Sequence, residues 1–361
     1  MTCGGTDRMT ESNAVTSWPE VLLPLMRRED LDADTIAGAM ATILEGEATD
    51  AQIAAFAVAL RAKGETPTEL AALVRTMLRY AEAVEVAPES EAGPILDTCG
   101  TGGDRSHTFN ISTAAALVVA GVGVRVAKHG NRAASSACGS ADVLEALGVV
   151  IDLDAVGVAR CIADAGIGFC FAQKFHPAMR FAGPARSQIG VPTTFNFLGP
   201  LANPARVKRQ VVGVGDPAMA DRVAATLIEL GAVRAMVFFG HDGLDELTTS
   251  DISTALVIRN GGVERQSIEP LDFGFPRAAR EDLIGGDAAH NAALLRSVLD
   301  GETGPRRDVV LLNAAAALLV AEVADSWEAG VLLAAAAIDD GRATATLDHW
   351  IATSQSTPGG A

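Results

Sequence analysis

The chain has 361 residues, of which 49% are hydrophobic but only 4% aromatic, and a formal net charge of −17. That length exceeds one ordinary core, so two domains are expected, and with few aromatics the packing falls to Ala, Val, Leu and Gly in an α/β arrangement of helices laid on a sheet. The acidic balance argues against a general nucleic-acid binder, which needs a basic face, while leaving room for a local basic pocket. No apolar run reaches the roughly 18 uncharged residues of a membrane helix; Asn313–Ala324 is too short and contains Glu322.

Residues 1–16 lack the basic and apolar regions of a secretion signal and are expected to form a disordered tail. The five cysteines, Cys3, Cys99, Cys138, Cys161 and Cys170, show no paired metal spacing. They read as reduced thiols of a cytoplasmic protein. Cys99 and Cys138 lie in Gly-rich segments, as reactive thiols or simply as small buried residues.

From Trp18 to about Val86 the apolar residues recur at helical spacing, as in AQIAAFAVAL and LAALVRTML, and about four short helices are expected. Thr49 with Gln52, and Thr66 with Pro67 and Glu69, have the spacing of capping boxes. Glu85–Pro94 is rich in Pro, Glu and Gly and reads as a linker. Beyond it short strands alternate with helices: ILDT, a helix near Ile111–Ala120, VRVAKHG, the helix SADVLEALG, GFCFA, RQVVGVG, the helix AMADRVAATLIELG and RAMVFFG. This alternation predicts a mainly parallel sheet wrapped by helices. TALVIRNGGVERQSIEP reads as a hairpin turning at Asn260-Gly261-Gly262, and the chain from about Ala288 as mostly helical.

Sites in open parallel sheets form beyond the carboxyl ends of strands, and three polar segments follow strands in this way. In CGTGGD, Gly100, Gly102 and Gly103 let backbone N–H groups approach an anion, and the helix start at Asn110, Ile111, Ser112 and Thr113 offers free N–H groups and a positive dipole end. The pattern is neither GxGxxG nor a P-loop, and Asn110, Ser112 and Thr113 serve equally well as plain N-caps. In KHGNRAASSACGS, Lys128 and Arg132 supply charge, Asn131, Ser135 and Ser136 supply donors, and His129 is either a base or a hydrogen-bonded structural histidine. In HDGLDELT, the adjacent carboxylates Asp245 and Glu246 repel unless a cation lies between them. Magnesium, which takes one or two carboxylates plus substrate phosphates, suits them; a solvated acidic loop is the alternative. The segment Ala172–Pro204 carries Pro177, Pro184, Pro192, Pro200 and Pro204 and reads as bent, semi-rigid backbone. Within it Arg186 sits among small and apolar residues, suited to a carboxylate partner, either internal or a ligand.

Jointly, GTGGD, NIST, KHGNRAASS, the HPAMR…GPAR…FNFLGPLANP stretch and DGLDE resemble the anthranilate phosphoribosyltransferase family in order and spacing, over about Trp18–Ile351. The resemblance implies a nucleoside phosphorylase/phosphoribosyltransferase-like fold. A small helical domain (residues 17–90, joined by helices from about 176–205) would stand beside a large α/β domain (91–361), with the site in the cleft. It implies a homodimer joined through the helical domain, and transfer of phosphoribosyl from 5-phosphoribosyl diphosphate to anthranilate with two magnesium ions per subunit, a step in tryptophan biosynthesis. Carried over by position, Gly100, Gly103, Asp104, Thr108, Asn110, Ile111, Ser112, Thr113, Lys128, Asn131, Ser135, Ser136 and Ser140 would bind the diphosphate substrate. Gly100, Asn131 and Arg186 would meet anthranilate, with His129, His176, Pro177 and Met179 shaping its channel. Ser112, Asp245 and Glu246 would hold magnesium. No residue is implied as a general acid or base, since a neutral aromatic amine attacks first and loses its proton afterwards. Pyrimidine nucleoside phosphorylases are similar in fold but differ after the lysine. A nucleic-acid-binding relative would need a basic groove, and a non-catalytic phosphate-binding module would not need Asp245 and Glu246.

Overall fold

The computed structural model describes residues 17–133 and 137–357; the expected tail and the predicted donors Ser135 and Ser136 lie outside them. Four helices open the described chain: α1 (Trp18–Met26), α2 (Ala33–Leu44), α3 (Asp50–Lys63) and α4 (Pro67–Arg79). Both expected capping boxes close. Thr49 N donates to Gln52 Oε1 at 2.9 Å and Gln52 N to Thr49 Oγ1 at 3.3 Å. Thr66 N donates to Glu69 Oε2 at 2.8 Å and Glu69 N to Thr66 Oγ1 at 3.1 Å. Residues 85–94 are more ordered than a linker. They contain a one-turn helix, Glu89–Ala92, because the Glu89 carboxylate accepts from Ile95 N at 3.3 Å and Arg209 Nε at 3.2 Å.

The remainder forms a seven-stranded sheet: β1 (Ile95–Gly100), β2 (Arg125–Gly130), β3 (Ile167–Phe171), β4 (Arg209–Gly213), β5 (Arg234–Gly240), β6 (Ser253–Arg259) and β7 (Gly262–Ile268), in the order β3-β2-β1-β4-β5-β6-β7. Strands β3 to β5 of that order run parallel, and β6 and β7 are antiparallel. Asn260 and Gly261, at φ 52° and 72°, make the expected hairpin turn, which needs left-handed backbone at both central positions. Helix Ala155–Ala165 was not expected from the sequence. Its signals are the Asp154 cap, accepting from Gly157 N at 2.8 Å, and left-handed Gly166 at its end.

Two cores result. One packs helices Ile111–Val122 and Pro305–Val320 against the sheet, largely through Ala, Val and Leu. The other joins α1–α4 to Ala182, Ala185, Phe195 and Leu198 and runs on without a break to Val212, Val237 and Leu256 of the sheet. The segment after β3 breaks into short helical pieces, including Pro177–Ala182, Gly183–Ile189 and Phe195–Leu198. Prolines stand in the first turns of two of them, where no N–H is needed. Among the described residues no helix is long and apolar enough to cross a membrane.

Candidate active site

Strands β2 and β1 are neighbours, and β5 lies beyond β4 on the far side of β1; all run parallel, so the three polar segments leave from the same, carboxyl edge of the sheet. The glycine loop and the acidic loop interlock. Gly102 N donates to Asp245 Oδ2 at 2.7 Å. A Cβ on Gly100 would lie 2.4 Å from that same oxygen, and one on Gly213 would lie 1.6 Å from the Asp245 carbonyl oxygen. These two glycines are therefore demanded by the approach of Asp245. Beyond them the chain turns through left-handed Gly102 and Gly103 and also through Arg105 and His107, both at φ 56°. Asp104 is held by the N–H and hydroxyl of Ser106.

Glu246 reaches the start of helix Ile111–Val122, where Ser112 N donates to its Oε1 at 3.2 Å, a favourable placement for an anion. Burial pushes the Asp245 carboxyl up to about 7, with Asp104 as a second cause. Glu246 is raised well above its usual range by burial and then by Asp245. A cation would relieve both. The donors are hard oxygens, as magnesium requires. Among the described residues no three His, Cys, Asp or Glu side chains form a metal cage by themselves.

Lys128 lies on β2, is 2% exposed, and donates from Nζ to the Thr98 carbonyl at 2.6 Å. Burial lowers its pKa, opposed by the charge of Asp97. Asp97 accepts from His129 N at 3.0 Å and from Asn203 Nδ2 at 2.8 Å. This Asp97–Asn203 support is absent from the sequence reading; it comes from a pairing 106 residues apart in sequence.

His129 donates from Nδ1 to the Gly199 carbonyl at 2.9 Å, and burial drives its pKa down to about 3, helped by His176 at 5.2 Å between ring centroids. His176 is also lowered by burial and donates from Nε2 to the Ala202 carbonyl at 2.9 Å. Both are thus neutral, hydrogen-bonded histidines. Pro177 is exposed and Met179 half-buried on the following turn. Arg186, on helix Gly183–Ile189, lies with Cζ 5.9 Å from the Phe195 ring centroid. Burial lowers its pKa, and it has no hydrogen bond or carboxylate partner among the described residues.

Arg132, read from the sequence as part of the anion loop, is committed elsewhere. Its guanidinium holds Asp142 at 2.9 Å and Glu145 at 2.9 Å. Asn131 is exposed, its carbonyl accepting from Ser140 Oγ at 3.3 Å and its side chain from Arg132 N at 2.8 Å. Asn110 is oriented by Asn291, whose Nδ2 donates to its Oδ1 at 3.0 Å. Thr108 pairs with Ile284 in an isolated bridge. Ile111 packs in the core, and Thr113 is buried with its hydroxyl unpartnered among the described residues. The contribution of residues 283–291 had no local signal beyond the Gly285-Gly286 pair. Cys99 is buried and its thiol pushed up by burial, which argues for packing over reactivity.

Residues 19–81 match the helical bundle domain of a glycosyl transferase family, and residues 92–344 match its a/b domain. The fold and site are thus those of a glycosyl transferase that joins these two parts. The chain is 55% identical to the anthranilate phosphoribosyltransferase of Chloroflexus aggregans over 338 residues, 93% of this chain and 98% of that one. It is 56% identical to that of Acidothermus cellulolyticus over 349 residues, 95% and 97% of the two chains. The crystal structure of the Thermus thermophilus enzyme superposes with a TM-score of 0.87 at 40% identity, covering 93% of this chain and 99% of that one. The Saccharomyces cerevisiae enzyme in complex with PRPP and Mg gives 0.81 at 26%, covering 95% and 94%. The chain belongs to the anthranilate phosphoribosyltransferase family.

Proposed function

We propose that the family's reaction, transfer of the phosphoribosyl group of 5-phosphoribosyl diphosphate to the amine of anthranilate with release of pyrophosphate, takes place where the glycine loop, the acid pair and the start of helix Ile111–Val122 meet. The observation that carries this reading is the convergence of Gly102 N, Ser112 N, Asp245 and Glu246. In this tryptophan-biosynthetic step, substitution at the ribose C1 leaves negative charge on the departing diphosphate. Asp245 and Glu246, with the Ser112 hydroxyl, hold magnesium, two ions per subunit. When bound, magnesium stabilises that leaving charge.

The chain's own groups do the rest. The glycine loop and Asn110, Ser112 and Thr113 line the diphosphate, and Lys128, Asn131 and Ser140 continue that wall together with Ser135 and Ser136. Asp97 and Asn203 hold β2 so that Lys128 is fixed before substrate arrives, a positioning effect that lowers the barrier by several kcal/mol in favourable cases. Arg186, desolvated and without a partner among the described residues, takes the anthranilate carboxylate, and Gly100, Asn131, His129, His176, Pro177 and Met179 shape the aromatic's approach. The amine needs no base before attack, in keeping with two neutral histidines. A homodimer formed through α1 and α3 and a cytoplasmic location complete the proposal.

Loss of anthranilate fluorescence should require the protein, 5-phosphoribosyl diphosphate and magnesium together and should stop with a chelator. Arg186→Ala should raise the KM for anthranilate about tenfold to a hundredfold, the worth of one charged hydrogen-bonded contact, with a much smaller change in kcat. An unchanged KM would remove Arg186 from this role.

A further inference from the structure

Away from the acid pair, the end of α4, the 203–208 strand approach and helix Ala220–Glu229 border a half-open cavity of about 290 Å³, whose four cations are exposed at its rim. Its walls carry Arg75, Arg79, Arg206 and Lys208 over an apolar floor that includes Leu201 and Leu227. In a chain with net charge −17, four cations round one small cavity are a local reversal of sign. Among the described residues, Arg75 alone of the four has a carboxylate partner, Glu229 at 3.4 Å. The others meet neutral oxygens: Arg79 the Thr76 hydroxyl at 3.2 Å, Arg206 the Leu78 carbonyl at 3.5 Å, and Lys208 the Leu230 carbonyl at 3.0 Å. Those contacts use one N–H of each group, and a guanidinium offers five and an ammonium three. Arg206 is also held at φ 51°, an uncommon backbone conformation for a side-chain-bearing residue.

We propose that this cavity is a second binding site, for a small oxyanion bearing phosphate or several carboxylates. Its size, at the small end of ligand pockets, suits a compact ligand. One wall belongs to the helical domain and the other to the α/β domain, so an occupant bridges the two. Like-charged neighbours with spare donors repel one another until an anion is shared among them.

The test is calorimetric titration of the full chain, without magnesium and at fixed ionic strength, with inorganic phosphate, pyrophosphate and citrate in separate arms. Binding at the acid-pair site is common to wild type and variant, so the difference between them isolates the cavity. Arg79→Ser/Lys208→Ser should weaken at least one probe tenfold or more while leaving kcat unchanged. Arg79→Ser alone, an exposed change, should weaken it less and guards against a folding defect in the double variant. A response to phosphate and pyrophosphate alone assigns a phosphate ligand, to citrate alone a polycarboxylate, and to all three the shared oxyanion chemistry. Superimposable isotherms for wild type and both variants with every probe overturn the proposal.

Discussion

A methyl group at position 100 would sit 2.4 Å from Asp245 Oδ2, so the smallest possible side chain there must push a proposed metal ligand aside. Gly100→Ala is therefore expected to lower kcat/KM by about a hundredfold, the scale of a displacement near 1 Å. The far-UV spectrum should not change; a variant of wild-type activity would show that Asp245 has room to move. His129 makes a prediction about pH. Its folded pKa is about 3 against about 6.5 for an unperturbed histidine. Between these values the unfolded chain binds a proton that the folded chain refuses, so the stability His129 contributes is present above about pH 6.5 and is lost as pH falls towards 3. Asp97, raised to about 6 by burial, acts in the opposite sense, contributing below about pH 4 and losing that contribution as pH rises through 6. His129→Gln isolates the histidine. From pH 6.5 to 4.5 it should lose on the order of 2 kcal/mol less than wild type in urea melts, and parallel curves would refute the assignment.

At the scale of elements, two helices with the same capping box are held very differently. The box of α3 lies in solvent, whereas Glu69 of α4 is fully buried and also accepts from Leu31 N at 2.9 Å and from Lys63 Nζ at 2.8 Å. Thr49→Ala should cost about 1 kcal/mol. Glu69→Ala removes a cap, a loop anchor and the buried partner of Lys63, and should cost about 3–5 kcal/mol. Chemical denaturation of both variants checks the ratio; equal costs would mean that burial adds nothing to this box. Both boxes were legible as four-residue patterns, because a capping box is closed within its own turn. The extra bonds of Glu69 were not, since Leu31 lies 38 residues away.

For the whole molecule, the second core passes without interruption from α1–α4 to the sheet, so the helical segment and the α/β domain are expected to melt together. An apolar surface is left uncovered on the helical domain: Leu23 and Met26 of α1 and Val58 of α3 are 50%, 74% and 46% exposed, and the two helices pack on each other. This is the face through which the proposed homodimer would form. Met26→Asp/Val58→Asp should convert a dimer to a monomer in sedimentation velocity at micromolar concentration. A wild-type monomer under the same conditions would dismiss that interface.

What the sequence alone determined is whatever closes over short distances along the chain. The helix caps, the Asn260-Gly261 turn, the strand–helix alternation and the glycine, lysine and acid segments after strand ends all belong to it. Jointly those motifs also carried the family resemblance. Tertiary structure decided which of these segments meet. The order of β1, β4 and β5 sets Asp245 against Gly100 and Gly213, and the long segment between β3 and β4 puts Asn203 beside Asp97 and leaves Arg186 without an acid among the described residues. Arg132, although its loop position resembled that of Lys128, turns instead to Asp142 and Glu145 of the next helix, 10 and 13 residues along the chain. The reason is physical. Periodicity and capping are local hydrogen-bond and burial preferences, whereas the partner of a charge is fixed by strand order and register between segments far apart in the chain, and no local pattern encodes that distance.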